Sequence, residues 1–318
     1  MKNLREFLFR RIAFGFLTLF IISALVFVGV ELLPGDLAQA ILGQSATPET
    51  VAALRAQLGL DLPAYVRYFH WINGVLHGNF GASLANQRPI VELIGQRLGN
   101  TLFLAVFAAI ISIPVAIILG LFSALYHDRW IDRSLSIGGL VLISSPEFFT
   151  GYILIAVLAM KLDLLPAVSI GNSDMGLFER INDIALPALT LAFAVIAYVM
   201  RMTRAAVMNV LSAPYIEMAR LKGVSPVGIV FRHALPNALS PIITVVVINL
   251  AYLIVGVVVV EVVFAYPGLG QLLVDAVSTR DLPLVQACCL IFASTYVILN
   301  LVADILAIIT NPRLWGKA

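Results

Sequence analysis

Charge is scarce in this chain: Asp, Glu, Lys and Arg make up 12% of its 318 residues, and the formal net charge is only +2. So small an excess argues against a nucleic-acid surface. A chain that is 61% hydrophobic, with a mean hydropathy of +0.99, cannot stay dispersed as a soluble globule. Cysteine is scarcer still. Cys288 and Cys289 are adjacent in an apolar stretch, where a disulfide between neighbours would be strained, so they read as small packing residues rather than a redox or metal pair. The sequence lacks a Gly-x-x-x-x-Gly-Lys-Ser/Thr phosphate loop, and no metal motif, nucleophile elbow or catalytic carboxylate pair stands out. Internal repeats and low-complexity segments are also missing.

What the chain does have is long apolar runs. Crossing a hydrocarbon core roughly 30 Å thick as a helix takes about 20 apolar residues. Six segments meet that length, at about 10 to 31, 100 to 125, 135 to 159, 185 to 209, 237 to 262 and 284 to 309, which predicts an all-α integral membrane protein. Lys and Arg near span ends stay in the cytoplasm. With the N-terminus inside, most of the 20 basic residues fall there, among them Lys2, Arg5, Arg10, Arg11, Arg129, Arg133, Arg201, Arg204, Arg220, Lys222, Arg232, Arg313 and Lys317. Asp36, Asp61, Asp163, Asp174, Glu179, Asp183, Asp275 and Asp281 fall outside. Both termini are therefore expected in the cytoplasm.

The first span resembles a signal peptide in its basic start and in Ala38-Gln39-Ala40, but its apolar run from Ile12 to Val30 is long for that role, so an uncleaved helix is expected. Residues 1–31 form the N-terminal segment and first span, 32–99 an outer insertion, 100–311 the core membrane domain and 312–318 an inner tail. Within the insertion, helical periodicity occurs around Thr50 to Leu58 and Ala64 to Leu76, with Thr47 as a helix cap before Pro48 and Gly59 as a stop.

A polar stretch, Tyr215 to Pro236, interrupts the apolar runs between the fourth and fifth spans. Pro214 suits a first helical turn and Gly223 a left-handed helix stop, so a helix of about two turns is predicted. Ser225-Pro226 repeats the start signal, and Leu235-Pro236 is expected to bend the chain into span five. The product is a helix-turn-helix protruding from the membrane.

Glu217-Met218-Ala219 followed by Gly223, and then by Leu235-Pro236, resembles the EAA loop of binding-protein-dependent ABC importer permeases. Met218 departs from the alanine common at that position. Further fragments resemble the B-type permease of dipeptide, oligopeptide and nickel importers, in an order that covers nearly the whole chain. They are Leu33-Pro34-Gly35-Asp36, Leu58-Gly59-Leu60-Asp61 with Pro63, Tyr68 and Trp71, Gly78-Asn79-Phe80-Gly81-Ala82-Ser83, Ser145-Pro146 with Phe148, Leu186-Pro187-Ala188-Leu189, Tyr266-Pro267-Gly268-Leu269-Gly270 and Asn311-Pro312-Arg313.

The resemblance implies a type I importer permease fold of six transmembrane helices, with a periplasmic insertion after the first and a cytoplasmic coupling helix between the fourth and fifth. It implies a bacterial inner-membrane location and half of a translocation pathway for di- or oligopeptides. The implied partners are a homologous second permease, two ATPase subunits or domains, a periplasmic solute-binding protein and membrane lipid, with no nucleic acid. No cofactor is expected in this chain, and none of its residues is expected to be catalytic, because ATP and magnesium would sit on the ATPases. Glu217 would anchor the ATPase contact, Ala219 and Gly223 would permit close approach, and Leu235 and Pro236 would close the loop.

Polar groups inside spans are costly and are candidates for function. Glu147, after Pro146, reads equally as a pathway residue meeting a peptide amine or as a carboxylate tied to a neighbouring helix. Asn249 is ambiguous in the same way. Glu261 reads as a gate residue or, preferred, a solvated helix end. Asn300 and Asp304, one turn apart, are expected to form a structural hydrogen-bonded pair. His70, His77, His127 and His233 lack a completed ligand set, so a peptide cargo is expected before a nickel chelate, opine or sugar. A gradient-driven secondary transporter would account for the spans but leave the 215–236 stretch unexplained.

Overall fold

The computed structural model describes residues 2–32, 36–171 and 175–310, and among these all regular structure is helical apart from one isolated bridge between Ala82 and Pro89. Residues 33–35 of the Leu33-Pro34-Gly35-Asp36 fragment, Asp174, Asn311-Pro312-Arg313 and the inner tail lie outside the described residues.

The first span is one helix, α1 (Lys2–Glu31). The insertion follows as three short helices, α2 (Leu37–Leu42), α3 (Pro48–Gln57) and α4 (Ala64–Leu76). The Thr47 hydroxyl caps α3 by accepting from the Thr50 amide at 3.2 Å, while the Thr50 hydroxyl accepts from the Thr47 amide. Helix α4 lies against the C-terminal half of α1: Tyr68 is buried, its hydroxyl 2.8 Å from the Ser23 hydroxyl, its ring edge-on to Phe27 at 5.4 Å between centroids. Arg67 adds a two-pronged pair to Glu31. A cleft of about 830 Å3 remains between the insertion and residues 280–286.

The second span begins ten residues earlier than expected. Helix α5 (Ile90–Leu125) is continuous through residue 99, because Ile90, Leu93 and Ile94 bury themselves against helices near the end of the chain rather than facing water. The third span departs most from expectation: it is not one helix over 135 to 159. Helix α6 (Trp130–Ser144) and helix α7 (Glu147–Leu154), which continues as π-helix over Ile155–Lys161, meet at 107°. Proline disfavours helical geometry in the residue before it, and here Ser145 is extended (φ −89°, ψ 127°), so Ser145-Pro146 breaks the helix rather than kinking it.

After α8 (Leu177–Asp183), α9 (Ala185–Leu211) forms the centre of the bundle against α5. Gly120 of α5 makes this close approach possible, since a Cβ there would lie 2.7 Å from the Met200 carbonyl oxygen. The polar stretch gives α10 (Pro214–Leu221) and α11 (Pro226–Gly228), then a π-helical turn over Ile229–Ala234. The expected bend at Leu235-Pro236 does not occur: α12 (Leu235–Val263) continues without interruption. A wider turn ahead of Pro236 relieves the clash its ring would make with the carbonyl four residues back.

The chain closes with α13 (Leu269–Ser278) and α14 (Leu282–Thr310). Cys288 packs, fully buried, beside Leu284, Ala287 and Leu272, as expected of a small apolar residue. Among the described residues five helices are long and apolar enough to cross a membrane, and the bent pair supplies the sixth span.

Candidate functional site

The hairpin of α10 and α11 is built on its own small core. Ile216 and Ala219, three apart on one face of α10, are buried against Ile229, with Leu211, Ala213 and Val224 packed around them. Val230 and Ala234 of the second arm bury against Leu121, Ala124 and Val207, which fastens the hairpin to the ends of α5 and α9. Gly223 turns the corner at φ +77°, in the left-handed region, and a Cβ there would meet nothing within 4 Å. Its glycine therefore serves the backbone conformation. Ser225 caps the second arm, its hydroxyl accepting from the Gly228 amide at 3.2 Å.

The packing decides which residues face outward. Glu217 is exposed and makes no hydrogen bond or ion pair among the described residues, and Tyr215, Met218 and Leu221 stand exposed beside it. Ala219 points the other way, into the hairpin core. Leu235 is half-buried and Pro236 exposed at the base. Because Ile216 holds the two arms together, Ile216→Ala is expected to destabilise the hairpin by about 2–4 kcal/mol. Hydrogen exchange of the 214–234 amides in the purified protein reads this directly; exchange as slow as in the parent would show that the arms hold without it.

The polar residues of the spans do not gather into one site. Glu147 is half-buried at the start of α7, facing the Tyr252 hydroxyl and Gly256, where a Cβ would come within 2.9 Å of its Oε2. Asn249 is buried and donates to its own helix at Val245 O, 2.8 Å away. Asn300 likewise donates to Tyr296 O at 2.9 Å, so it is not paired with Asp304 as expected. Asp304 instead meets Arg11 of α1 at 2.9 Å, because a full charge on the neighbouring helix outcompetes a neutral amide four residues away on its own.

Glu261 is corrected most. It is not a solvated helix end but fully buried, accepting from the Thr101 hydroxyl at 2.6 Å and from the Gly270 and Gln271 amides at 2.7 and 3.1 Å. Thr101 completes the cluster by accepting from the Leu269 amide at 2.7 Å. Glu261 thus caps the start of α13 and ties α5 to α12. Gly268 makes room for it: a Cβ there would lie 2.0 Å from Glu261 Oε1.

Beside this cluster, Asn100 donates to the carbonyls of Gly171 and Pro267 at 3.1 and 3.0 Å, and Arg180 donates to Asn100 at 3.2 Å from above the Phe103 ring. Burial pushes the Tyr266 phenol above its ordinary value, so it remains a donor to the Asn100 carbonyl at 3.0 Å. Asp183 accepts from the Ile170 and Gly171 amides, both at 2.9 Å. Asp281 accepts from the Ser83 hydroxyl and the Leu84 amide, fixing the insertion to the start of α14. Thr101, Asn100, Asp183 and Asp281 carry no local sequence signal, since their partners are remote; only the Tyr266-Pro267-Gly268-Leu269-Gly270 fragment pointed to the place.

At the end of the bundle that carries the hairpin, His127, Asp128 and Asp132 lie close enough to suggest a metal site. The Arg204 guanidinium donates to both Asp132 oxygens, at 2.7 and 2.8 Å, and its charge opposes a cation there.

Comparison with known proteins agrees with this architecture. The inward-facing MetNI methionine ABC transporter shares the fold, with a TM-score of 0.51 at 18% identity over 70% of this chain and 96% of that one. A probable peptide ABC transporter permease of Sinorhizobium fredii is 37% identical across 97% of this chain and 98% of its own length. The glutathione transport system permease protein of Escherichia coli (strain K12) is 39% identical across 94% of this chain and 95% of its own. Residues 4–105 match the N-terminal component of binding-protein-dependent transport system membrane proteins. Residues 113–316 match the binding-protein-dependent transport system inner membrane component itself, and with them the chain belongs to that family, the multi-pass permease subunits of ABC importers.

Proposed function

We propose that this chain forms half of a translocation pathway for di- or oligopeptides in the bacterial inner membrane. A homologous second permease completes the pathway, a periplasmic binding protein delivers the cargo, and ATP and magnesium are bound by separate ATPase subunits. The hairpin of α10 and α11 seats in a groove of one ATPase, with both termini on the same cytoplasmic side. Glu217 pairs there with a basic group, and Tyr215, Met218 and Leu221 give the contact its apolar area. The observation that carries the reading is a hairpin with its own packed core and an exposed row of residues, in a chain without a phosphate loop. Nothing assigns a catalytic role to this chain, and a peptide cargo is supported by the names of its relatives.

Closure of the ATPase dimer would reach the spans as rigid-body motion, since both hairpin arms are packed against membrane helices. The test is purification with the neighbouring ATPases and binding protein, followed by uptake into proteoliposomes. ATP-dependent uptake of the peptides that thermally stabilise the binding protein is expected. Gradient-driven uptake by this chain alone would overturn the reading, and stabilisation by nickel chelates, opines or sugars would replace the cargo.

A further inference from the structure

The bent span has to be moved by something. Helix α6 touches the hairpin-bearing end of the bundle through Asp132, which lies in its first turn and is almost fully buried. Its carboxylate accepts from four donors on three segments. They are the Ser123 hydroxyl of α5 at 2.5 Å, the Asp128 amide of the connecting loop at 3.1 Å, and Arg204 Nε and Nη2 of α9 at 2.7 and 2.8 Å; His127 Nδ1 lies 3.3 Å from the carboxylate and 3.2 Å from Arg204 Nη2. A two-pronged, planar contact fixes orientation as well as distance, which a single charge contact does not.

A second contact lies two turns along α6. Gly139 packs on Met200 so closely that a Cβ would come within 2.7 Å of its Cε. The two contacts join α6 to α9 at two points along its length. Helix α9 in turn runs directly into the hairpin, with Pro214 ten residues, about 15 Å, beyond Arg204. At the far end of α6 stands the break at Ser145-Pro146, and beyond it Glu147 against Tyr252 and Gly256 of α12.

We propose that the Asp132–Arg204 pair is the joint that passes movement of the hairpin on to the bent span, making both residues positioning residues for transport. The proposal rests on the reading of the hairpin as an ATPase contact. An isolated surface pair would be too weak and too mobile for this task. Here the Asp132 carboxylate is buried and the Arg204 guanidinium partly buried, so parting the two leaves the carboxylate without its two-pronged partner. When α9 is displaced at its hairpin end, α6 must follow, and the angle at Ser145-Pro146 is the place where the chain can yield.

The test uses the complete complex in lipid nanodiscs, with spin labels at Ile137 of α6 and Val259 of α12, both exposed at 64% and 42%. Trapping the ATPases shut with magnesium, ATP and vanadate needs no transported substrate. The interlabel distance is expected to change on trapping in the parent, to stay constant in Arg204→Gln and Asp132→Asn, and to change partially in Arg204→Lys, while vanadate trapping itself persists in all four. No change in the parent, or the same change in Arg204→Gln, overturns the proposal. Failure of all three variants to assemble also overturns it, by making the pair a folding element. If the parent chain retains no ATPase, it is instead the reading of the hairpin that fails.

Discussion

Replacement of Gly223 by valine is expected to abolish ATP-driven uptake while the complex continues to hydrolyse ATP. The corner residue sits at φ +77°, where a β-branched side chain is strained. Because nothing within 4 Å would obstruct a Cβ, the cost falls on the backbone of the corner and not on packing elsewhere. The two arms then change their angle, and the exposed row of Tyr215, Glu217, Met218 and Leu221 no longer matches its groove. Uptake per ATP hydrolysed should fall by at least about tenfold, within the range of coupling energies between distant sites. Gly223→Asn, which tolerates the left-handed region, should retain much more. Glu217→Arg should act in the same direction through charge rather than shape. Parallel assays of phosphate release and peptide uptake separate these outcomes; variants that lose both in proportion would point to failed assembly, and variants that lose neither would remove the hairpin from the coupling path.

Substitution of Gly268 by alanine is expected to be the most damaging change to stability. The added methyl group would occupy space 2.0 Å from Glu261 Oε1 and 2.1 Å from its Cδ, so either the loop or the carboxylate must leave. Moving the carboxylate strands the Gly270 and Gln271 amides and the Thr101 hydroxyl without an acceptor in a buried setting. Overpacking and the stranding of the buried donors together should cost about 3 kcal/mol or more. Glu261→Gln keeps the shape and an oxygen for the two amides and should cost markedly less. Thermal unfolding of the purified chain in detergent measures both. A Gly268→Ala protein as stable as the parent would mean that the loop repacks freely and that Glu261 does not hold α5, α12 and α13 together.

Local chemistry made much of this fold legible. The Thr47 cap, the start of α10 at Pro214, the left-handed Gly223 and the Ser225 restart all operate within one helical turn of backbone, and each appears as the residues suggested. The six apolar runs were equally plain, because a bilayer selects for segment length and composition irrespective of what packs beside them. Ser145-Pro146 was visible as a perturbation, but the size of the break was not. A kink and a 107° turn begin from the same proline, and the neighbouring helices choose between them.

Long-range pairing was beyond reach for a different reason. Glu261 lies near the end of an apolar run and looks solvated from its neighbours, whereas its hydroxyl partner, Thr101, is 160 residues away. Asp304 faced Asn300 on paper and Arg11 in space. Arg204 read only as a basic residue at a span end, and nothing singled out Asp132, until α6 and α9 were set side by side. Composition and periodicity are properties of a segment, so they dictated membrane class, span number and the hairpin. The direction a polar side chain faces, and whether water or a distant donor meets it, depends on how the helices pack, and that emerged only once the bundle was assembled.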